Sequence, residues 1–346
     1  MNLHVLIMAG GNGTRFWPVS TPEFPKQYTK LSSDKSLLQE SIGRSLNFTS
    51  PENCYVVTTK SQEGLAIEQT EELIPAQNII IEPEGRNTAP CIFLSILHLL
   101  KKGVSENDCI VVLPSDHVIN NHENFKNDIV SAANNSSKNN SITVIGIQPT
   151  FAHTGYGYIH RGNEISDGIY NAKKFVEKPI QSLADEYFHS KEYFWNAGMF
   201  IAPLGDLLTE IKNLCPDLGD FQKSLSNAIG NEEETAEVYS RLPKDSIDYA
   251  VIEKSSRVEV VASSFDWSDL GSWDALQDVI KPTDSNVHAN LEKAQCLKSE
   301  GNIIYAPGKK VSLINCQDLV IVSVGDHIMV LPKKDAQQVK QLNQKI

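Results

Sequence analysis

The sequence predicts an α/β fold in which helices cover both faces of a mostly parallel sheet. Several segments repeat one arrangement, a short β-branched apolar run followed by a polar or glycine turn and then a helical pattern, which is typical of α/β layering. The apolar runs are continuous rather than alternating, as expected for strands that are buried on both faces. With 346 residues, the chain is long enough for one large core with a smaller unit, or for two domains.

Five apolar runs are the clearest strands of this sheet. They are Val5 to Met8, Tyr55 to Thr58, Ile79 to Ile81, Ile110 to Leu113 and Thr143 to Ile147. The most distinct helix is predicted from Ala89 to Lys102, because Asn87 supplies an N-cap and Gly103 follows the last turn. The stretch from Asn134 to Ser141 is rich in Asn and Ser, a composition that predicts a mobile surface loop.

After about Lys281 the pattern changes, and we predict a small β-rich domain over residues 281–346 that follows a main domain over residues 1–280. A breaker-rich joint is followed by short alternating runs, and a polar helical tail begins at Lys333. The predicted strands of this unit are Val311 to Ile314, Leu319 to Val324 and Ile328 to Leu331.

The charge balance argues against polyanionic partners. The chain has 31 Lys and Arg against 43 Asp and Glu, a formal net charge of −12 at pH 7. Binders of nucleic acid recruit phosphates with a basic surface, and an acidic chain repels a polyanion unless local residues reverse the field. We therefore expect neither nucleic acid nor an anionic membrane surface as a partner.

The cysteines, histidines and N-terminus favour a cytoplasmic protein without zinc. The 6 cysteines are scattered and form no CxxC pair, which suits a reduced chain. The 9 histidines show no HxxxH or HExxH spacing. The apolar run from Leu3 to Met8 is too short for a membrane span and has no basic region before it, so we interpret it as a buried strand.

A glycine-rich loop, residues 8–15, directly follows the first strand, where backbone amides are free to wrap an anion. It lacks the Lys-Ser/Thr pair of a Walker A loop, and Phe16 stands where a dinucleotide fingerprint needs glycine. A tight strand-to-helix turn would explain the glycines alone. Because Arg15 and Lys26 add two cations to the same connection, we predict a phosphate loop of another kind.

Residues 10–18 together with Pro25-Lys26-Gln27 resemble the signature of sugar-1-phosphate nucleotidylyltransferases, most closely the guanylyltransferases that act on mannose 1-phosphate. Other stretches resemble motifs of this family in the expected order: residues 82–90, 114–117, 154–159, 175–179, 195–200, 246–250 and 267–273. The resemblance implies the nucleotidyltransferase fold, a Rossmann-like and GT-A-like mixed sheet, with a C-terminal domain that resembles a partial left-handed β-helix. Longer members add a cupin-like isomerase domain, which we do not expect in 346 residues.

The reaction that the resemblance implies is GTP plus mannose 1-phosphate giving GDP-mannose and pyrophosphate. The attacking phosphate monoester has a second pKa of about 6, so it is ionised at neutral pH and needs no side chain as a base. The protein must instead bring two anions together in line and stabilise the charge on pyrophosphate. Two alternatives stay open: another hexose 1-phosphate or nucleotide, and a non-catalytic subunit that senses sugar nucleotides.

The predicted catalytic residues are Arg15 and Lys26, which would clamp the triphosphate, and the carboxylates Asp116 and Asp269. Asp116 follows a strand at the edge where open α/β sheets bind ligands. The resemblance assigns the metal to both carboxylates, which would make a hard oxygen site suited to Mg²⁺ (or Mn²⁺). Either could instead cap its own turn. The implied nucleotide-binding residues are Ala9, Gly10, Gly11, Asn12, Gly13, Thr14, Arg86, Asn87, Thr88 and Ser115.

The implied residues for the sugar phosphate are Gly155, Tyr156, Glu177, Lys178 and Asn196. Glu177 and Asn196 would bond ring hydroxyls, and Lys178 would neutralise the phosphate. A solvated charge pair is the alternative for Glu177 and Lys178. Because the small β unit offers strand edges, we also predict that the protein can form a homodimer.

Overall fold

The computed structural model describes residues 2–11 and 13–342, so the predicted nucleotide-binding residue Asn12 lies outside the described residues. A mixed sheet of 9 strands forms the centre of the fold, in the order β3-β2-β1-β4-β8-β5-β9-β7-β6. The strands are β1 (Leu3–Met8), β2 (Cys54–Thr59), β3 (Ile79–Glu82), β4 (Cys109–Pro114), β5 (Ile142–Ile147), β6 (Tyr158–Ser166), β7 (Ile169–Val176), β8 (Tyr193–Pro203) and β9 (Val258–Ala262). β1 to β4 pair in parallel, whereas β8 runs antiparallel between β4 and β5.

Both faces of the sheet are buried, as the continuous apolar strands predicted. Leu6 belongs to one hydrophobic core and its neighbours Val5 and Ile7 to the other, because successive side chains of a strand point to opposite faces. The helices are α1 (Leu37–Ser45), α2 (Glu63–Thr70), α3 (Thr88–Lys101), α4 (His122–Asn139), α5 (Gln181–Ser190), α6 (Leu204–Leu214), α7 (Pro216–Gly219), α8 (Gln222–Ala228), α9 (Glu232–Tyr239), α10 (Leu276–Val279) and α11 (Val339–Leu342). Within the described ranges, no helix has the length and apolar character that a membrane span requires.

The strand and helix predictions agree with this arrangement, with one exception. All five predicted strands are present as β1 to β5, and the predicted helix is α3, whose first backbone N–H is capped by the Asn87 side chain. The predicted loop from Asn134 to Ser141 is wrong, because residues up to Asn139 continue α4. Ala132, Ala133 and Ser136 form its buried face, so packing on the sheet overrides the polar composition.

The C-terminal unit consists of coils whose strands alternate between two small sheets. β10 (Val287–Ala289), β12 (Ile303–Tyr305) and β14 (Leu319–Val324) pair in parallel, β11 (Lys293–Leu297) pairs in parallel with β13 (Lys310–Ile314), and β15 (His327–Pro332) closes the unit antiparallel to β14. This arrangement resembles a β-helix. β13, β14 and β15 coincide with the three predicted strands, whereas β10 to β12 were not predicted, and the predicted tail from Lys333 begins as a 3₁₀ helix, Lys333–Gln338, before α11. A third core packs the unit against the main sheet's loops through Phe16 and Trp273, whose rings lie 4.9 Å apart.

Candidate active site

A cavity lies at the carboxyl ends of β1 and β4. These strands are adjacent and parallel, so the loops that follow them meet at one edge of the sheet. The predicted site residues that line the cavity are Gly10, Gly11, Asn87, Thr88, Gly155, Tyr156, Glu177, Asn196 and Asp269. His117, Glu82 and Asp248 also line it, although no role was predicted for them.

The glycine loop is supported from below by the Pro25-Lys26-Gln27 segment. The buried Gln27 side chain donates from Nε2 to the carbonyls of Ala9 (2.9 Å) and Gly11 (2.8 Å). A Cβ on Gly13 would lie 2.6 Å from the Cβ of Lys26, so glycine is required for the lysine to pass under the loop. Sequence reasoning assigned no role to Gln27, although it belongs to a quoted motif.

The remaining residues of this loop differ in exposure. Thr14 and Arg15 belong to a 3₁₀ turn, Thr14–Phe16, and Arg15 is exposed and near enough for its charge to act on the cavity residue Tyr156. Ser115 is buried, and its N–H donates to the carbonyl of Met8 at 3.1 Å. The loop thus offers backbone amides and one exposed guanidinium, while its lysine lies inside.

Lys26 connects the two segments that carry the predicted metal carboxylates, Asp116 and Asp269, which are far apart in sequence. Its side chain is 6% exposed, and Nζ lies 2.9 Å from Asp116 Oδ2 and 2.6 Å from the backbone carbonyl of Asp269. The loops that bear these carboxylates are paired by a backbone bridge between Val118 and Ser268, with N–H to O distances of 2.9 and 3.1 Å. The fold therefore brings Lys26, Asp116 and Asp269 together.

The electrostatic environment keeps Asp116 ionised. Burial raises the pKa of the Asp116 carboxyl, but the Lys26 ammonium and His117 more than offset this, so the net shift is downward. Tyr156 donates its hydroxyl to Asp269 Oδ1 at 2.9 Å. Burial and, next, the Asp269 charge raise the pKa of Tyr156, so its hydroxyl stays protonated. Beneath the site, burial lowers the pKa of the Arg44 guanidinium to about 10.

The donor chemistry of the two carboxylates suits a small divalent cation. Lys26 occupies Oδ2 of Asp116 and Tyr156 occupies Oδ1 of Asp269, which leaves Oδ1 of Asp116 and Oδ2 of Asp269. Among the residues that the structure describes, no group of three or more His, Cys, Asp and Glu side chains is arranged to hold a metal. Mg²⁺ commonly uses one or two carboxylates and completes its shell with water and substrate phosphates. This oxygen pair suits that pattern.

The opposite wall carries a polar group centred on Asn196. Its Oδ1 accepts from the N–H of Gly198 at 3.1 Å, and its Nδ2 donates to Asp248 Oδ1 at 3.0 Å. Burial and then the Glu177 charge raise the pKa of Asp248 to about 6. A Cβ on Gly157 would lie 2.5 Å from Glu177 Oε2, so glycine is required beside this carboxylate. Asp248 was missed because motif 246–250 indicated no chemistry by itself.

Lys178 and Arg86, both predicted to bind substrate, lie away from the cavity lining. Lys178 has a side chain that is 61% exposed and pairs with Glu177. The Arg86 guanidinium bonds the carbonyls of Ser240 and Leu242 and the carboxylate of Glu84. The Arg86 guanidinium therefore holds the end of α9, and its backbone N–H donates to the cavity residue Glu82.

The side of the cavity that is predicted to bind the nucleotide contains a buried carboxylate for which no role was predicted. Glu82 is 4% exposed, and its Oε1 accepts from the Tyr239 hydroxyl (2.6 Å) and the Arg86 N–H (3.1 Å). Burial raises its pKa. Oε2 is directed toward Gly10, 3.4 Å from the position of an added Cβ. Next to it, Asn87 and Thr88 begin α3.

Comparison with known proteins identifies the family of this chain. The nucleotidyl transferase family model matches residues 4–286, and the model of the MannoseP isomerase/GMP-like β-helix domain matches residues 294–346. A mannose-1-phosphate guanylyltransferase of Klebsiella pneumoniae is 36% identical over 97% of this chain and 72% of its own length, and one of Salmonella muenchen is 37% identical over the same shares.

A solved structure supports the same assignment. The crystal structure of a Thermus thermophilus protein, described as a mannose-1-phosphate geranyltransferase, covers 100% of this chain and 99% of its own with a TM-score of 0.90 and 31% identity. The chain therefore belongs to the nucleotidyl transferase family and, within it, to the mannose-1-phosphate guanylyltransferases.

Proposed function

We propose that this protein transfers GMP from GTP to α-D-mannose 1-phosphate, giving GDP-mannose and pyrophosphate, with Mg²⁺ or Mn²⁺ held by Asp116 and Asp269. The observation that supports this most is the buried Lys26, which contacts both metal-binding segments beside the glycine loop. A cation, two carboxylates and free loop amides at one sheet edge suit the transfer of a charged phosphoryl group.

The chemistry needs positioning more than proton transfer. A phosphate oxygen of the sugar phosphate attacks the α-phosphorus of GTP, the bond to the β-phosphate oxygen breaks, and pyrophosphate leaves with the electron pair. The nucleophile is already an anion, so no base is required. Arg15, which is exposed, and Lys26, buried under the loop, counter the phosphate charge. A bound metal would neutralise further negative charge on the phosphates.

Glu82 supports guanine as the base. Its Oε1 already accepts two hydrogen bonds, whereas Oε2 lies beside Gly10 on the cavity side. Guanine presents N1–H and an exocyclic amine side by side, and a buried carboxylate oxygen is an acceptor suited to these donors. A base without such donors would displace water from Oε2 without replacing its hydrogen bonds, which costs about 1–3 kcal/mol. The first loop and the start of α3 would complete this subsite.

The Asn196 group supports a sugar on the opposite wall. Glu177, Asn196 and Asp248 combine acceptors with an amide donor, a set that suits the hydroxyls of a hexose. Gly155 and Tyr156 line the cavity between this wall and Asp269. Lys178 is exposed, so its proposed contact with the sugar phosphate requires it to exchange Glu177 for the substrate.

A substrate panel tests the proposal. Four nucleoside triphosphates would be combined with several hexose 1-phosphates in Mg²⁺, and pyrophosphate release would be followed. We expect the highest kcat/KM for GTP with mannose 1-phosphate. A preference for another pair would correct the substrates, and binding of GDP-mannose without turnover of any pair would refute the enzymatic function. The Asp116→Asn variant controls for contaminating activity.

The homodimer and the cytoplasmic location stay predictions. The C-terminal unit exposes apolar side chains that a second copy could cover, namely Leu297, Ile314, Ile328 and Val330. Light scattering of the purified chain tests the dimer, and a monomer at micromolar concentration would contradict it.

A further inference from the structure

Two carbonyl oxygens of the glycine loop are held by buried side chains. The carbonyl of Ala9 accepts hydrogen bonds from Gln27 Nε2 (2.9 Å) and from the hydroxyl of Thr58 (3.1 Å). The carbonyl of Gly11 accepts from Gln27 Nε2 (2.8 Å) and from Gln62 Nε2 (3.3 Å). A carbonyl oxygen has two lone pairs, so these bonds use the accepting capacity of both groups.

The three donors form one buried network that ties the loop to β2. Gln27, Thr58 and Gln62 are 3%, 0% and 3% exposed. Thr58 belongs to β2, and Gln62 ends the 3₁₀ turn that follows this strand, Lys60–Gln62. Gln27 Nε2 also donates to Oε1 of Gln62 at 2.8 Å. Because Thr58 already donates to the loop, the Tyr28 hydroxyl, 3.0 Å away, is the donor to Thr58.

The direction of these carbonyls determines which groups the loop offers to a ligand. In a planar trans peptide, the C=O and the following N–H point in opposite directions. The inward carbonyl of Ala9 therefore turns the N–H of Gly10 outward, and Gly10 lines the cavity. Among the described residues, no group accepts a hydrogen bond from this N–H. Phosphate oxygens accept bonds of this kind, whereas a carbonyl oxygen at the same place would repel them.

We propose that Gln62 and Thr58 are positioning residues for the triphosphate of the nucleotide. Together with Gln27 they hold the loop carbonyls inward, so that the loop presents N–H groups to the phosphates. Neither Gln62 nor Thr58 is among the described residues that line the cavity, so each acts through the backbone of the loop. A loop fixed in this way needs no reorganisation when the anion binds. The inference rests on the proposed function in taking a nucleoside triphosphate as the ligand of the loop.

Paired variants separate the hydrogen bonds from the packing. Gln62→Met removes the amide and keeps a side chain of similar length. Thr58→Val removes the hydroxyl and keeps the shape of the side chain, whereas Thr58→Ser retains the hydroxyl. Gln69→Met is the matched control, because the partly buried Gln69 amide donates to the carbonyl of Tyr28 (3.1 Å), which lies outside the glycine loop.

The measurement is calorimetric binding of inorganic triphosphate and of GTP to the full chain in Mg²⁺, without sugar phosphate. We expect Gln62→Met and Thr58→Val to bind both anions about three- to tenfold more weakly than wild type, the range for the loss of one hydrogen bond. Thr58→Ser and Gln69→Met should stay within about twofold of wild type.

Turnover and thermal unfolding distinguish positioning from a merely structural role. The KM for GTP should rise in Gln62→Met and Thr58→Val by the same factor as the binding constant, while the KM for mannose 1-phosphate stays unchanged. A merely structural role would lower the Tm of Gln62→Met and Gln69→Met alike and would leave the affinity for triphosphate at the wild-type value.

Several outcomes would overturn the inference: wild-type triphosphate affinity in Gln62→Met and Thr58→Val, no recovery in Thr58→Ser, equal weakening in Gln69→Met, or no binding of either triphosphate by the wild-type protein. Inorganic triphosphate carries neither base nor sugar, so its binding does not depend on the substrate pair. A substrate panel that favours another nucleotide would therefore correct the proposed function and leave this result intact.

Discussion

Replacing Asp248 by asparagine tests how far the cavity wall raises the pKa of a buried carboxyl group. Asp248 begins a π-helical turn, Asp248–Ile252, and accepts a hydrogen bond from Asn196. Burial and the Glu177 charge raise its pKa from 3.8 to about 6. The folded protein therefore holds this proton more tightly than the unfolded chain. The resulting stabilisation is complete below about pH 4 and is lost as the pH rises through 6.

The size of the effect follows from the pKa shift. About two pKa units correspond to about 3 kcal/mol, at 1.36 kcal/mol per unit. This value is an upper limit, because Asp248 lines an open cavity and water can enter it. The amide that replaces the carboxyl would still accept from Asn196 but would carry no charge. We expect Asp248→Asn to match wild type near pH 4 and to exceed it in unfolding free energy by up to about 3 kcal/mol at pH 8, or about 4 °C in Tm.

Urea unfolding at pH 4, 5, 6 and 8 measures this difference. Asp34→Asn serves as the control, because Asp34 is exposed and its replacement changes the net charge equally. The control should show no gap that depends on pH. A constant difference between Asp248→Asn and wild type across this range, or a variant less stable at pH 8, would refute the reasoning.

The other predictions concern catalysis and specificity. Asp116→Asn and Asp269→Asn should each lower turnover by orders of magnitude while circular dichroism stays unchanged, because each removes a carboxylate of the proposed metal site; near wild-type pyrophosphate release in Mg²⁺ would contradict the assignment. Lys178→Ala should raise the KM for the sugar phosphate more than that for GTP, since the removed charge would neutralise the sugar phosphate; a change in the GTP curve alone would be the contrary result. Glu82→Gln should reduce the kcat/KM preference for GTP over other triphosphates by about tenfold or more, at about 1–3 kcal/mol for a mispaired buried group. Glu84→Gln, exposed on the same loop, is the control, and an equal loss there would exclude a specific role for Glu82.

Much of the fold was predictable because its signals are local. Continuous β-branched runs indicated strands that are buried on both faces, and β1 to β5 lie where these runs occur. The capping residue before α3 likewise acts within one turn of its helix. The loop prediction for Asn134 to Ser141 was wrong because it used only the local polar composition. The helical state of this segment up to Asn139 depends instead on packing against the sheet.

The site was predictable only in part. The glycine loop predicted an anion-binding site, and the family resemblance predicted catalytic roles for Lys26, Asp116 and Asp269. No sequence pattern shows that residues so far apart along the chain lie close together in space. Glu82 and Asp248 were missed because a carboxylate in a short motif is indistinguishable from a solvated one until its burial is known. The state of each carboxyl group depends on residues distant in sequence. Glu82 accepts a hydrogen bond from Tyr239, whereas Asp248 accepts one from Asn196 and has its pKa raised in part by the Glu177 charge.

The sequence by itself determined the strands β1 to β5, the glycine loop, the kinds of functional group and, through its motifs, the family. Only the tertiary structure decided which groups meet: Lys26 lies between Asp116 and Asp269, and Asp248 lies beside Glu177, which helps to raise its pKa. The physical reason is that charge interactions and hydrogen bonds act over a few ångströms in space. The chain sets that distance through the register of β1 and β4 and the bridge at Val118.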